Sequence, residues 1–362
     1  NRLLSKKYFS VELLEDCNLA CSLLEKPVVP QMNSELFSKL KTDLDPFELV
    51  KEDMKTFSQD ILEALYTGDS SIDDITQYYF KFPGKHFRPT ILLLLSRALS
   101  PRSEFLSGSV ERPQRVFAEV IEMMHCSSLV HDDVIDRAET RRGQVAVHKQ
   151  VGNFKAVKGG NYLMGTASYH CTKLDDMRLM NLISEIMENL SKGELIQADA
   201  VSEDLETHIV SYCHKTYFKT ASLIAHGCKG IGYYGGYPEE CFNFGKHLGL
   251  AFQYVDDVLD FVGDQKLLGK PKLNDMREGL ATGPVLFGEG NKILDIVKRK
   301  FSKSGDIELG VAAAEKQGID KTRHLALLHL HAALDSLHFL DKNSFAYKAL
   351  CSLASKIYNR VS

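Results

Sequence analysis

Two stretches of this chain carry carboxylates at a spacing that suits metal-ion chemistry. In Ser127-Ser128-Leu129-Val130-His131-Asp132-Asp133-Val134-Ile135-Asp136, Asp132 and Asp136 lie four residues apart, on one helical face, with Asp133 beside them. Three carboxylates at the end of an apolar helix repel one another and cost stability unless a cation neutralises them. Hard oxygen donors suit Mg²⁺, which keeps several waters and shares its other positions with substrate phosphates. The spacing recurs in Phe252-Gln253-Tyr254-Val255-Asp256-Asp257-Val258-Leu259-Asp260, with Asp264 one turn further on. A single cluster reads as readily as a solvated acidic helix end. Two copies, each set in apolar sequence, argue instead for cations held on both sides of one diphosphate.

The elements that must position these clusters are helices. Apolar residues recur with a period of 3.6 nearly throughout, and strand-like alternation is hard to find. Asp45-Pro46-Phe47-Glu48 is a strong helix start, with an Asp N-cap and Pro in the first turn, and the helix should run to about Thr67. The spacing predicts further helices over 71–81, 87–100, 114–137, 153–173, 176–201, 205–232, 237–263, 278–288 and 291–303, then three more to the C-terminus. Residues 1–43 are less regular and read as an N-terminal arm.

Composition fits this picture and removes some alternatives. A net charge of −4 on 362 residues, with no long run of one sign, gives no reason to expect a nucleic-acid partner. The eight cysteines are scattered, without a repeated CxxC pair, and read as buried reduced thiols of a reducing compartment. The longest apolar run, Ile91 to Leu95, is far shorter than a membrane span. The first ten residues hold Arg2, Lys6 and Lys7 and no acid, which suits either the remnant of an organelle presequence or an arbitrary beginning.

With both aspartate clusters in view, the sequence resembles the polyprenyl diphosphate synthases over about residues 44–360. Gly84-Lys85-His86-Phe87-Arg88-Pro89, Arg141-Arg142-Gly143, Lys219-Thr220-Ala221-Ser222-Leu223 and Gly269-Lys270-Pro271 match the family in the same order. Asp45-Pro46-Phe47 and Gly279-Leu280-Ala281-Thr282-Gly283-Pro284-Val285-Leu286-Phe287 are similar to the mitochondrial long-chain synthases that make the ubiquinone side chain. The resemblance implies an all-α fold: a single-domain isoprenoid-synthase-type helical bundle around a central active-site cavity, spanning 44–362. It also implies an enzyme that condenses isopentenyl diphosphate with an allylic diphosphate (farnesyl or geranylgeranyl) into a long-chain all-trans product.

The same resemblance distributes roles. Asp132, Asp133, Asp136, Asp256, Asp257 and Asp260 would hold Mg²⁺, three ions in the family, with Mn²⁺ as a substitute. Arg141, Lys219 and Lys270 would contact the allylic diphosphate. Lys85, Arg88, His125 and Arg142 would hold isopentenyl diphosphate by fixed cations; Arg suits bidentate phosphate contacts and Lys a mobile point charge. His125 alone would read as a core histidine, but it lies seven residues before Asp132, on the same helical face. Thr220 and Gln253 would stabilise the allylic cation or orient the diphosphate, with Gln197 behind them. The departing diphosphate serves as the base in the family, so no side-chain base is expected.

Product length should follow from the residues one turn deeper than Asp132. Bulky aromatics there form a floor in short-chain relatives. Ser127 and Ser128 leave it open, so a product beyond fifteen carbons is expected, with Met124 and Ile121 deeper as further stops. Three positions depart from the family pattern: Pro83 for a frequent glycine, Asn161 for an Asp common in the long-chain group, and Leu280 for the Lys of short-chain members. A class I terpene synthase would need the aspartates but not Lys85, Arg88, His125 and Arg142. The other rival is a subunit inactive without a diverged partner. The resemblance further implies a homodimer or a heteromer with a related subunit, a mitochondrial location (otherwise cytoplasmic), and peripheral membrane contact during product release.

Overall fold

The computed structural model describes residues 11–24, 26–82, 84, 86–100, 110–198, 204–263, 272–290 and 292–361. The expected all-α architecture is what it contains. Helices α1 (Val11–Ser22) and α2 (Pro30–Ser38) precede α3 (Pro46–Leu49), α4 (Lys51–Met54), α5 (Phe57–Leu65), α6 (Ser70–Thr76), α7 (Tyr78–Lys81) and α8 (Phe87–Leu99). The long α9 (Arg112–Ile135) leads into the pair β1 (Thr140–Arg141) and β2 (Gln144–Val145), then α10 (Val147–Val151), α11 (Asn153–Thr172) and α12 (Met177–Ala198). Helix α13 (Leu205–Thr216) passes through a π-helical turn, Tyr217–Ala221, into α14 (Ser222–Gly235), and α15 (Pro238–Val262) follows. Short helices α16 (Asn274–Arg277), α17 (Gly283–Leu286) and α18 (Ile293–Lys298) lead to α19 (Asp306–Ala313), α20 (Ile319–Ser336) and α21 (Phe345–Tyr358).

Helix α14 sits at the centre, packed against α8, α9, α12 and α15, and its residues from Ser222 to Gly232 are buried except Lys229. A helix apolar all round belongs in the middle of a bundle. Helix α9 lies along α11, and α15 is wedged between α14 and α20. The two long helices that end in aspartates, α9 and α15, are thus held by the same central helix.

Asp45 caps α3 as the sequence predicts, its Oδ1 accepting from Phe47 N at 3.0 Å. The single helix expected over 46–67 is instead three pieces. Asp53 turns inward to pair with Arg97 at 2.7 Å, and Arg115 donates to the Asp53 carbonyl, which takes that oxygen out of the helical ladder. The helices expected over 278–288 and 291–303 shrink to Gly283–Leu286 and Ile293–Lys298. Gly279, at φ 80°, bends the chain between Glu278 and Leu280.

The first two helices, α1 and α2, are packed on the bundle. Helix α1 lies on α13 and α2 on α20, with Cys17, Ala20, Leu23 and Val28 in the common core. Asp16 pairs with Lys246 at 3.0 Å, both nearly fully buried, and His247 Nδ1 meets His329 Nδ1 at 2.9 Å. Asp16, His247 and His329 bring their ligand atoms within 4.8 Å of one another. The Lys246 ammonium already neutralises the carboxylate, so this group acts as a polar staple joining α1, α15 and α20. All eight cysteines are free thiols, six of them buried. Among the described residues no helix is long and apolar enough to cross a membrane.

Candidate active site

The first cluster occupies the end of α9. Asp133 is buried; its Oδ1 accepts from Arg141 Nε at 2.8 Å, and its Oδ2 accepts from the Tyr79 hydroxyl. Asp132 and Asp136 face Lys219 and Glu194 instead. Burial pushes the Asp132 carboxyl up to about 7; Lys219 and Arg141 oppose the rise, while Glu194 and Asp136 add to it. Asp136 is raised by the same combination of burial and neighbouring carboxylates. Such crowding of hard oxygen donors fits a divalent cation, which would relieve the repulsion directly.

The second cluster lies on α15 and mirrors the first. Asp257 is buried; its Oδ2 accepts from Tyr212 Oη at 2.5 Å and its Oδ1 from Gln253 Nε2 at 2.8 Å. Burial is the main cause of its raised pKa. Asp256 pairs with Arg360 at 2.7 Å. Asp260 accepts from the backbone N–H groups of Asn274 and Asp275, at 3.1 and 3.3 Å, and so fastens the start of α16.

The π-helical turn Tyr217–Ala221 joins the two clusters. Lys219 ion-pairs with Glu194 at 2.5 Å and acts on Asp132 and Asp136. The next residue, Thr220, donates to Gln253 Oε1 at 2.8 Å, and Gln253 holds Asp257. Adjacent side chains therefore look to opposite clusters, which places both around one site. The turn sits this deep because a Cβ on Gly193 would lie 2.6 Å from Lys219 Cγ, and one on Gly249 2.6 Å from Ala221 Cα. Widened turns of this kind are frequent at functional sites.

A separate cationic group lies beside the clusters. Arg88 Nη1 donates to His125 Nε2 at 2.9 Å. Burial, with Arg88, Arg142 and Arg141 close by, holds the His125 ring well below the ordinary imidazole range, so it stays neutral and accepts. Arg142 donates to the Tyr79 carbonyl at 3.1 Å and packs over Gly84. Both arginines of Arg141-Arg142 are aimed by a tight hairpin whose turn residues, Arg142 and Gly143, have φ of 53° and 74°. Phe252 stacks on Phe87 with centroids 4.9 Å apart, and the Arg360 guanidinium lies 4.7 Å from the Phe252 centroid.

A family model described as "Polyprenyl synthetase" matches residues 69–313. The chain belongs to the polyprenyl synthetase family. The all trans-polyprenyl-diphosphate synthase PDSS1 of Homo sapiens is 36% identical over 297 residues, covering 80% of this chain and 71% of that protein. Solanesyl-diphosphate synthase 1, mitochondrial, of Oryza sativa subsp. japonica is 34% identical over 353 residues, 91% of this chain and 82% of the relative. Among solved structures, a polyprenyl synthase from Caulobacter crescentus CB15, complexed with calcium and isoprenyl diphosphate, superposes with a TM-score of 0.77 at 26% identity, covering 88% of this chain and 97% of the other. A decaprenyl diphosphate synthase from Rhodobacter capsulatus gives 0.76 at 27% identity, covering 88% and 98%.

For a polyprenyl synthetase, the structure brings together Asp132, Asp133, Asp136, Asp256, Asp257, Asp260, Arg141, Lys219, Thr220 and Gln253, with Arg88, His125 and Arg142 alongside. Lys85, Lys270, Pro83 and Asp264 lie outside the described residues, as does the side chain of Gln197. Asn161 is exposed on α11 and Leu280 half-buried before α17. Ser127 donates to the Gly160 carbonyl at 2.8 Å, Ser128 to the His125 carbonyl at 2.9 Å, and Met124 is fully buried. Four participants escaped sequence reasoning: Tyr79, Tyr212, Glu194 and Arg360. Glu194 follows Gly193, the glycine that admits the π-helical turn, and that pairing was the available signal. The two tyrosines lie far from their aspartates in sequence, and no local pattern marks them.

Proposed function

We propose that this chain condenses isopentenyl diphosphate with an allylic diphosphate into a long-chain all-trans polyprenyl diphosphate. The observation that carries the reading is the pair Lys219–Thr220, which ties two aspartate clusters to one site beside a separate set of cations. The metal would be Mg²⁺, held by the aspartates from both clusters, since the donor set is all hard oxygen. It would neutralise the diphosphate and stabilise the charge that grows as the carbon–oxygen bond breaks.

The chain's own residues supply the rest. Arg141 and Lys219, with Lys270 proposed beside them, bind the allylic diphosphate and stabilise the leaving group. Arg88, His125 and Arg142, with Lys85, hold isopentenyl diphosphate without a metal, and the neutral His125 keeps the Arg88 fork in place. Thr220 and Gln253 present oxygens toward the allylic cation. The isopentenyl double bond attacks the allylic carbon, one carbon–carbon bond forms, and the departed diphosphate takes the proton. Ser128 would leave the apolar path along α9 open to a growing chain. Residues 44–362 would form the catalytic unit, and 11–38 brace it.

A homodimer is proposed as the assembly. One face of α11 (Ala156, Gly159, Gly160, Leu163, Ala167) is buried, while the other presents Phe154, Val157, Tyr162 and Tyr169 to solvent. An exposed aromatic stripe on a bundle helix suits a subunit interface. Relatives whose names place them in mitochondria support a mitochondrial location; a product for the ubiquinone side chain and peripheral membrane contact at its release are proposed with it.

Purified chain, farnesyl diphosphate and labelled isopentenyl diphosphate, with Mg²⁺ or with EDTA, test the reading. Metal-dependent products beyond about twenty carbons are expected. Ionisation of the allylic diphosphate without incorporation would favour the terpene-synthase alternative. No turnover despite binding of both substrates would favour a subunit that needs a diverged partner.

A further inference from the structure

In each aspartate cluster the buried middle carboxylate accepts from protein side chains at both oxygens. Both oxygens of the buried Asp133 are taken, Oδ1 by Arg141 Nε at 2.8 Å and Oδ2 by the Tyr79 hydroxyl. Both oxygens of the buried Asp257 are taken too, Oδ2 by Tyr212 at 2.5 Å and Oδ1 by Gln253 at 2.8 Å. The phenols come from α7 and α13, two unrelated elements, yet they make the same contact. In each case the other oxygen of the carboxylate holds a residue that faces the substrate region: Arg141 in the first cluster, Gln253 with Thr220 in the second.

We propose that Tyr79 and Tyr212 are matched positioning residues. Each phenol holds one oxygen of the middle aspartate of one cluster, so that the carboxylate keeps a fixed orientation and its other oxygen holds a diphosphate-side donor, Arg141 or Gln253, in place. A buried carboxylate that accepts from two protein donors is fixed in orientation and still has lone pairs to offer a cation. Removal of the phenol leaves one oxygen without a donor, and the carboxylate loses its fixed orientation, loosening Arg141 or Gln253 as it does. This inference rests on the functional reading above, but its test does not need turnover.

The test measures Mn²⁺ binding in the presence of inorganic diphosphate for the full chain, Tyr79→Phe, Tyr212→Phe and a control, Tyr78→Phe. Tyr78 neighbours Tyr79, but its hydroxyl donates to the Val145 carbonyl at 2.9 Å. Partners that orient metal ligands are typically worth about 10–100-fold in metal affinity or activity. Tyr79→Phe and Tyr212→Phe should each weaken binding by about tenfold or more, with unchanged helix content, and Tyr78→Phe should match the unaltered chain. Where the chain turns over, Tyr79→Phe should raise KM for the allylic diphosphate and leave KM for isopentenyl diphosphate unmoved, a split that a general loss of folding cannot produce. Unaltered Mn²⁺ binding in both folded variants, or equal weakening by Tyr78→Phe, overturns the proposal. If the binding pattern holds but the unaltered chain forms no carbon–carbon bond, the functional reading fails and the two positioning residues stand.

Discussion

One turn below Asp132, two neighbouring serines have different surroundings. Ser127 is fully buried between α9 and α11, with its hydroxyl on the Gly160 carbonyl, while Ser128 is half-buried and bonds only back to its own helix. Ser128→Phe should therefore shorten the product, read as a shift to shorter prenyl chains by mass spectrometry of the dephosphorylated alcohols. Ser127→Phe should instead destabilise by about 1–3 kcal/mol in urea unfolding, because a ring has no room where two helices touch. Products of unchanged length from Ser128→Phe would place the chain-length stop elsewhere, at Met124 or deeper. In sequence the two serines are equivalent, since helical spacing gives a face but not the neighbour that occupies it. The aspartates were legible because their chemistry needs a repeated pattern. Tyr79 and Tyr212 were not, because a single phenol reaching one carboxylate across the fold leaves no local trace.

The π-helical turn is where the local structure and the chemistry meet. Tyr-Phe-Lys-Thr-Ala contains no breaker, so the sequence predicts an unbroken helix over 205–232, and the structure widens it at 217–221. The cause is tertiary: Gly193 on α12 and Gly249 on α15 let both neighbours approach the turn closely. Gly249→Ala, whose Cβ would sit 2.6 Å from Ala221 Cα and 3.0 Å from Ala221 Cβ, meets no side chain that can swing aside. It should cost about 1–3 kcal/mol of stability and lower kcat through displacement of Thr220. Gly193→Ala meets first the flexible Lys219 side chain, at 2.6 Å, and then the Lys219 backbone N at 3.0 Å. Its effect should appear mainly in KM for the allylic diphosphate, with a smaller stability loss than Gly249→Ala; steady-state kinetics beside urea melts separate the two. The long helices α9, α11 and α15 were legible to within about two residues because strong apolar periodicity and proline or glycine ends mark them. The hairpin Thr140–Val145 was missed because two-residue strands are too short to alternate, although Arg142-Gly143 had the residue that a positive φ favours.

Across the molecule, residues 11–38 are tied to the bundle by polar contacts as well as by packing. The buried Asn33 donates to the Asp320 carbonyl at 3.1 Å and its Oδ1 meets His324 Nδ1 at 2.9 Å, while Asp16 pairs with Lys246. Beside that ion pair His247 and His329 are held far below the ordinary imidazole range, to about 2 and about 3, chiefly by burial. Below the unfolded value of about 6.5 an unfolded imidazole takes a proton that the folded one refuses, so stability contributed by these rings is lost as pH falls. Each ring should contribute a slope approaching about 1.4 kcal/mol per pH unit between its unfolded and folded values. Asp16, raised by burial, bends the curve the other way at lower pH, but it is common to the parent chain and to a His329→Leu variant. The difference between their unfolding free energies isolates the ring. Urea unfolding at pH 7.5, 6.0 and 5.0 should show His329→Leu closing on the parent, or passing it, as the pH falls. Parallel curves would mean that the ring takes up a proton in the folded state, and that the staple joining α1 to α15 and α20 opens well before the bundle does.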